Sequence, residues 1–429
     1  FWLAFNIGTI PVIGFISMLA AVFYCSLNIV MLCLLIKLIK NIFPNKWMWS
    51  FPIVWVSIEY IRNMDVLTGG PWTALANTQL DFLIIAQNAE ITGIYGISFW
   101  VILINVLLCN WLIMPFRNNL YSLIILFIVP WITGLLLTPP KILDSTSSLD
   151  VAVIQPNIHL SQKWTSGSTS ENIKSLLLDS QSAIEKNVDL IIWPETATSD
   201  YILQNDDYYI RLIQRKLNDS DLISGIPYYE DHPEERKYYN SAFHITSDTI
   251  KNIYHKLKLV PMAEYIPLSN YFPSLKELNL GQANFTRGNE YTIMKIDNIQ
   301  CATMICFESV LPSLSRAFVN KGADILIYVV NDGWYEYPPE PQQHARQVVY
   351  RAIENRKPVI RCANTGISMV VDIAGNIIEK LPLNHKGVIE TTVTTNNNAT
   401  FYTKYGDIFA RLNILVLLIS LIIGVVKKK

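Results

Sequence analysis

The sequence predicts a multi-pass α-helical membrane region joined to an external α/β domain. Of the 429 residues, 51% are hydrophobic and only 16% are charged, and residues 1–36 contain no Asp, Glu, Lys or Arg. Soluble domains carry about a quarter charged residues, so we expect part of the chain in lipid. Residues 140–407 read instead like a globular domain in which strand-like and helix-like runs alternate.

Five apolar runs approach the roughly 20 residues that cross a bilayer as a helix. They lie at about 9–36, 47–61, 91–114, 119–138 and 410–426. The second is short and ends at Glu59 and Arg62. We divide the chain into a transmembrane helical region (1–139), an α/β domain (140–400) and a C-terminal transmembrane helix with a Lys tail (401–429).

Basic residues near the spans predict the orientation, because Lys and Arg favour the cytoplasmic side. They mark three cytoplasmic points, at Lys37, Lys40 and Lys46, at Arg117, and at residues 427–429. Counting five spans keeps these points on one side and places the α/β domain on the external face. Phe1 then also lies outside and shows no signal-peptide layout, so we expect a truncated N-terminus preceded by an odd number of spans.

Short β-branched runs bounded by turn residues predict the strands of the α/β domain. These runs are 150–158, 189–196, 221–229, 239–246, 301–309, 324–332, 358–378 (a hairpin turning at Gly375 and Asn376) and 387–393. Helical patterns lie between them at about 170–186, 206–218, 311–321 and 341–356. This alternation predicts a sandwich in which helices cover sheets.

Three polar residues lie where we expect the C-terminal end of a strand or the positions just beyond it: Glu195 ends "LIIWPE", Lys256 sits in "IYHKLKLVP" and Cys306 ends "ATMIC". Strand ends are where an α/β sheet presents side chains to a crevice. Each residue alone has a structural alternative: a turn cap, a solvated lysine and a packed thiol. Together they supply a base, a cation and a nucleophile for acyl transfer, because a thiol must lose its proton to attack and a cation stabilises the oxyanion. This chemistry needs no metal or other cofactor.

The remaining polar residues leave alternatives open. Asn331 and Asp332 form a crevice wall or only turn the chain, and His344 and Arg346 open a helix and lie on the surface or in the site. The other cysteines have no partner at a diagnostic spacing and are expected to pack or to face lipid: Cys25, Cys33, Cys109, Cys301 and Cys362. A net charge of −1 without a basic patch argues against nucleic acid.

Three ordered motifs carry a resemblance to a known family: "WPET" with Glu195, "YHKLKLVPMAEYIPL" with Lys256 and "ICFES" with Cys306. In order and spacing they resemble the Glu-Lys-Cys sites of the nitrilase superfamily. With the flanking spans, the set resembles the apolipoprotein N-acyltransferase family. The resemblance implies a nitrilase-like α-β-β-α sandwich on the periplasmic face of a bacterial inner membrane.

The resemblance also implies roles for individual residues. Glu195 matches the general base, Lys256 the oxyanion partner and Cys306 the acyl-accepting nucleophile. Supporting positions are the carboxylates Glu264 and Glu308, Phe307 (a Tyr in the family, whose backbone N–H can still donate to an oxyanion) and Trp164, an aromatic near the lipid-binding mouth.

The implied reaction explains why such a domain would carry membrane spans. A phospholipid, phosphatidylethanolamine by resemblance, would acylate Cys306, and the N-terminal amine of a diacylated apolipoprotein would accept the chain. Both lipids would reach the site from the membrane. Two alternatives stay open: a membrane-anchored amidohydrolase with the same three residues, and a receptor or transporter that has lost the chemistry.

Overall fold

A computed structural model describes residues 11–64, 71–140, 147–163, 165, 167–205, 207–233, 235–267, 269, 271–272, 274, 283–334 and 339–427. The chain divides into two compact units. The α/β unit comprises mainly Ile142–Ala352 and Lys357–Asn398. The helical unit comprises Phe15–Lys141, Ile353–Arg356 and Ala399–Lys429.

Four helices of the described part of the helical unit are long and apolar enough to cross a membrane. They are Gly14–Ile42, Ile94–Ile113, Arg117–Leu137 and Ile408–Lys427, and they match four of the five predicted spans. Many of their Leu, Ile and Val side chains are exposed, as expected of helices whose neighbours are lipid tails. Shorter helical segments are Trp47–Ser50, Phe51–Asn63, Leu75–Gln79, Leu83–Ala86, Ala89–Thr92 and Phe401–Tyr405.

The predicted span at about 47–61 differs from the other four. The helix there is Phe51–Asn63, and its 13 residues extend about 20 Å, which is short of the roughly 30 Å hydrocarbon core. Pro52 lies at its first turn, where the missing N–H costs nothing, and a 3₁₀ turn, Trp47–Ser50, precedes it directly. Its Val54 and Ile58 pack in a core shared with the two terminal spans. By itself this helix is too short to be a span.

The described part of the α/β unit contains twelve strands. They are β1 (Ser148–Gln155), β2 (Leu190–Trp193), β3 (Asp221–Asp231), β4 (Arg236–Ile245), β5 (Ile250–His255), β6 (Ile293–Ile296), β7 (Ile299–Ile305), β8 (Ile325–Val330), β9 (Val359–Ala363), β10 (Ser368–Val371), β11 (Ile377–Leu381) and β12 (Gly387–Thr394). The helices are Leu160–Lys163, Ser168–Asp179, Gln181–Glu185, Ile202–Asn205, Asp207–Leu217, Pro312–Asn320 and Glu340–Asn355, with 3₁₀ turns at Cys306–Val310 and Asp332–Trp334.

The strands form two six-stranded sheets, in the orders β12-β1-β2-β3-β4-β5 and β11-β10-β9-β8-β7-β6. The three central strands of each sheet are parallel (β1, β2 and β3 in one, β7, β8 and β9 in the other), and the outer neighbours are antiparallel. The Cys362 thiol of β9 donates to the carbonyls of Ile154 and Ile192, which belong to the other sheet. This contact places the two sheets face to face.

Helices cover the outer faces of these sheets and complete the sandwich. Ile173, Leu176 and Ile213 pack on strands of the first sheet in one hydrophobic core. On the second sheet, Ser315 of the helix Pro312–Asn320 is hydrogen-bonded to Tyr328 of β8. The predicted architecture, apolar helices together with an α/β sandwich whose helices cover two sheets, is confirmed. The predicted strand region 358–378 proves to be three strands, and β5 and β6 were not predicted.

Candidate active site

The ends of three strands bring Glu195, Lys256 and Cys306 together. Glu195 lies two residues after β2, Lys256 directly follows β5, and Cys306 directly follows β7. The Cys306 thiol interacts electrostatically with the Glu195 carboxylate and with the Lys256 ammonium. Glu195 and Lys256 are 5% and 1% exposed, whereas Cys306 is partly exposed. Cys306 is therefore the most exposed residue of the three.

A hydrogen-bonded chain fixes the two charges next to the thiol. Lys256 Nζ lies 2.8 Å from Glu264 Oε1 and 3.9 Å from Glu195 Oε1. Asn240 Nδ2 donates to both carboxylates, at 2.7 Å to Glu195 and 3.0 Å to Glu264. Glu264 Oε2 accepts the N–H of Val260 at 2.7 Å. Glu264 is therefore the carboxylate that holds Lys256, and the second oxygen of Glu195, Oε2, has no hydrogen-bond partner among the residues that the structure describes.

Burial sets the protonation of this group. It raises the pKa of Glu195 above the ordinary value of 4.5, with Glu264 adding to the effect and Lys256, Asn240 and Lys163 opposing it. Burial alone would lower the pKa of Lys256, but the carboxylates of Glu264 and Glu195 outweigh it and raise that pKa. Lys256 is therefore a permanent cation, while Glu195 has the proton affinity of a base that can take a proton and return it.

Cys306 occupies a strained turn at the end of β7. Its φ is +52°, a left-handed conformation that non-glycine residues rarely adopt, and a 3₁₀ turn, Cys306–Val310, begins at this residue. Burial, together with the Glu195 carboxylate, raises the pKa of the Cys306 thiol well above its ordinary value, and Lys256 opposes this only in part. The thiol is therefore protonated at rest, and it would need a base in order to act as a nucleophile.

Glu308 ties the Cys306 turn to the segment that carries Lys256. Its Oε1 accepts the N–H groups of Leu257 and Lys258, at 2.7 and 2.9 Å, and its Oε2 accepts that of Ile305 at 2.8 Å. Tyr254 donates to both oxygens at 2.8 Å. Burial raises the pKa of Glu308 to about 7, against the effect of these N–H donors. Because Glu308 is fully buried, its part is to hold two strand ends in register.

His344 is buried, so its interpretation as a surface residue is wrong. It is 2% exposed, and its Nδ1 lies 2.9 Å from Asp332 Oδ1. Its Nε2 lies 2.9 Å from Ser309 Oγ and 3.2 Å from the carbonyl oxygen of Cys306. Asp332 lies two residues after β8, is buried, and reaches the Cys306 turn through its contact with His344.

Asp332, Glu340 and His344 have ligand atoms close enough together to hold a metal ion. Arg361 already supplies a cation there, since its Nη2 donates to Asp332 at 2.8 and 3.1 Å and lies 3.2 Å from His344 Nδ1. Burial alone would raise the pKa of Asp332, but Arg361 and His344 lower it to about 2. The cluster is an ion-paired support for the Cys306 turn.

Two further buried residues of this site were not predicted from the sequence. Asn240 on β4 bridges the two carboxylates, as described above. Lys163 is 1% exposed, and its Nζ donates to the backbone carbonyl of Glu195 at 3.2 Å. Burial lowers the pKa of Lys163 to about 8, although Glu195 opposes this. The sequence offered one indication that Lys163 belongs to the site: in the segment "HLSQKW" it directly precedes Trp164.

The backbone around Glu195 is closely packed. Gly225 of β3 donates to the Pro194 carbonyl, and a Cβ at this position would lie 2.5 Å from the Glu195 Cα. Only glycine fits so near another backbone. Thr196 next to Glu195 has a φ of +50°, so the loop is held in a specific left-handed bend.

The structure accounts for the other candidate residues as follows. Phe307 is partly exposed beside Cys306. Cys301 is buried in β7 and Cys362 in β9, as packing residues. Trp164 lies outside the described residues. The three cysteines of the apolar runs, Cys25, Cys33 and Cys109, are exposed on helices of the helical unit, as lipid-facing residues would be.

Comparison with known proteins first identifies the class of protein to which the α/β unit belongs. The family model described as Carbon-nitrogen hydrolase matches residues 150–400, which is the α/β unit. Among solved structures, an amidase from Nesterenkonia sp. aligns with a TM-score of 0.46 and 17% identity, covering 64% of this chain and 98% of that one. The α/β unit is a carbon-nitrogen hydrolase domain.

The N-terminal part and the full-length relatives then define the family. The model described as Apolipoprotein N-acyltransferase N-terminal domain matches residues 1–107. Relatives named apolipoprotein N-acyltransferase are 33% identical in Geobacter metallireducens, covering 84% of this chain and 71% of the relative, and 30% identical in Chlorobaculum tepidum, covering 89% and 77%. The chain belongs to the apolipoprotein N-acyltransferase family. The expectation of an acyltransferase with membrane helices is confirmed.

Proposed function

We propose that this protein moves an acyl chain from a phospholipid to the N-terminal amine of a diacylated lipoprotein through a thioester at Cys306. One observation carries the proposal: a cysteine in a left-handed turn, partly exposed as a residue, has its thiol next to a buried carboxylate and a buried ammonium. The four membrane-length helices of the same chain explain how lipid substrates would reach it.

In the first stage Glu195 takes the thiol proton as the Cys306 sulfur forms a bond to the ester carbonyl carbon of the phospholipid. Negative charge develops on the carbonyl oxygen, and the Lys256 ammonium and the Phe307 backbone N–H stabilise it. The ester C–O bond then breaks. Glu195 returns the proton to the departing glycerol oxygen, and lysophospholipid leaves a thioester behind. Phosphatidylethanolamine is the donor that the family resemblance favours.

In the second stage the neutral α-amino nitrogen of the diacylglyceryl-cysteine attacks the thioester carbonyl. Glu195 takes a proton from that nitrogen, the C–S bond breaks, and the sulfur recovers a proton from Glu195. The product is an amide and the enzyme is restored. Glu264 keeps Lys256 in place in both stages, and we assign Trp164, next to the buried Lys163, to the mouth of the lipid site.

Purified protein incubated with phosphatidylethanolamine and a synthetic diacylated lipopeptide tests this function. We expect lysophospholipid and N-acylated peptide in equal amounts. Free fatty acid without N-acylated peptide would support the amidohydrolase alternative. The absence of both lysophospholipid and N-acylated peptide would support an inactive receptor or transporter. Either result would refute the proposed acyltransferase function.

The pH dependence of the first stage follows from the raised pKa of Glu195. A base acts only when deprotonated, so the rate should fall as pH drops through a midpoint above the ordinary 4.5. Above that midpoint the rate should be flat through neutral pH, because the thiol stays protonated and Lys256 stays charged.

This pH dependence is checked by measuring single-turnover formation of the acyl-enzyme from about pH 4 to about pH 9. No acceptor is present, so the titration of the acceptor amine does not affect the rate. A rate that stays constant below the ordinary carboxyl range would exclude Glu195 as the base. A rate that climbs steadily towards alkaline pH would instead indicate a preformed thiolate.

We further propose that residues 140–400 are the catalytic domain on the periplasmic side of the inner membrane, with 1–139 and 401–429 as membrane segments. This orientation requires a crossing between Lys46 and Ile94. The Trp47–Ser50 turn and the Phe51–Asn63 helix together extend about 28 Å, close to the membrane thickness, and the helix is largely buried among other helices.

Labelling in spheroplasts tests the orientation. Leu178→Cys, at an exposed position of the α/β unit, should react with a membrane-impermeant maleimide, whereas Lys40→Cys should react only after lysis. Both variants are made in a Cys306→Ala background, so that the maleimide does not react with the cysteine of the candidate site. Reversed labelling would contradict the proposed orientation and would leave the chemistry of the site untouched.

A further inference from the structure

A second hydrogen-bonded chain lies behind Cys306. Ser309 Oγ donates to the carbonyl oxygen of Cys306 at 2.8 Å, and His344 Nε2 lies 3.2 Å from the same oxygen. His344 Nδ1 faces Asp332, and Asp332 accepts from Arg361. Arg361 Nη1 in turn donates to the Ile367 carbonyl at 2.6 Å. The side chains of Ser309, His344, Asp332 and Arg361 are all buried.

Ser309, His344 and Asp332 have the spacing of a serine nucleophile, its base and an orienting acid. Ser309 does not suit that role, because it is 0% exposed and its hydroxyl donates to a backbone carbonyl within its own turn. A nucleophile must face substrate. The hydrogen-bonded series of side chains instead ends at the peptide group that joins Cys306 to Phe307.

That peptide group is planar and trans, so its N–H points opposite to its carbonyl. With the carbonyl held towards Ser309 and His344, the Phe307 N–H points away from them. Glu308 fixes the N–H of Ile305 on the other side of Cys306. The left-handed turn at Cys306 is therefore held from both ends.

We propose that Ser309, His344 and Asp332 are positioning residues that set the plane of the Cys306–Phe307 peptide and so aim the Phe307 N–H at the developing oxyanion. Hydrogen bonds to the carbonyl also polarise the amide and make its N–H a stronger donor. This inference rests on the proposed function. It also explains why Phe at 307 suffices, since the donor is backbone.

Ser309→Ala and two substitutions at His344 test the proposal. Ser309→Ala should slow single-turnover acylation by phospholipid roughly tenfold to a hundredfold, because it misaligns a donor to the oxyanion. The KM for phospholipid should stay near the wild-type value, since no group that touches lipid is removed. His344→Gln, which keeps a donor at the Nε2 position, should retain more activity than His344→Asn, which keeps only the donor beside Asp332.

Alkylation of Cys306 by iodoacetamide provides a second readout. This displacement forms no oxyanion, so Ser309→Ala should leave its rate nearly unchanged while acylation falls. Ser315→Ala, another fully buried and hydrogen-bonded serine on the adjacent helix, is the matched control for general damage.

Acylation of Ser309→Ala at the wild-type rate would overturn the inference. An equal loss of acylation and alkylation, with a larger fall in Tm than in Ser315→Ala, would also overturn it, because it would indicate general disruption. If wild-type protein takes no acyl chain from phospholipid, the proposed function fails instead, so the two failures are distinguishable.

Discussion

Cys306→Ala is expected to abolish the acyl-enzyme and to reduce lipopeptide N-acylation by roughly 10⁴-fold or more, as removal of a covalent nucleophile does. The buried neighbours Glu195, Lys256 and Glu264 remain in this variant, but without the sulfur they have no group to activate. The measurement is the rate of N-acylated lipopeptide formation by mass spectrometry at saturating phospholipid.

Cys301→Ala is the matched control for Cys306→Ala. Cys301 lies in the same strand, β7, is 0% exposed, and packs in the core. Its substitution should lower Tm slightly and leave the rate close to wild type. Substantial N-acylation by Cys306→Ala would refute a covalent intermediate at this residue.

Glu195→Gln is expected to have the second largest effect, a loss of roughly 10²- to 10⁴-fold in the rate of thioester formation, which is the usual contribution of a general base. The substitution preserves side-chain volume, and the amide oxygen can still accept from Asn240. It is a cleaner test than truncating Lys256, because removing one partner of a buried ion pair costs about 3–5 kcal/mol of stability. The rate and its pH profile are the measurements, and the acid limb should disappear with the carboxyl group.

Glu185→Gln is the control, since Glu185 is exposed and hydrogen-bonded only to Gln181 among the described residues. Its rate and pH profile should match those of the wild type. If Glu195→Gln kept both the rate and the acid limb, another group would have to take the thiol proton, and the role of Glu195 would be lost.

The sequence predicted the central strands and the edge strand β12, but it missed the edge strands β5 and β6, for a physical reason. β2 and β8 are buried on both faces and read as continuous apolar runs. β5 and β6 lie at sheet edges, and "IKNIYH" carries as many polar as apolar side chains. Such a strand is specified by the neighbour that pairs with it, which a local pattern does not reveal.

The same contrast holds in the site. Glu195, Lys256 and Cys306 could be proposed from the sequence because each lies within a recognisable motif. Asn240, Lys163 and His344 reach the site from other elements, through contacts with residues 45, 32 and 38 positions away. Ordinary amide, amine and imidazole side chains in such places carry no local signature, and only the fold identifies them.

The helix Phe51–Asn63 shows a limit of predicting membrane spans from hydropathy alone. Its apolar residues serve partly as contacts inside the helical unit, where Val54 and Ile58 are buried. A short apolar run can therefore include a helix that is packed inside the helical unit, and it reaches the length of a span only together with the preceding turn. Glu59 and Arg62 in its last turns gave the sequence signal for this.

The most direct test is mass spectrometry of wild-type protein after brief exposure to phosphatidylethanolamine in the absence of acceptor. The mass should rise by one fatty acyl group, tandem fragmentation should place that group on Cys306, and hydroxylamine should release it. An acyl group on another residue, or its absence while lipopeptide is still N-acylated on mixing, would contradict a thioester at Cys306.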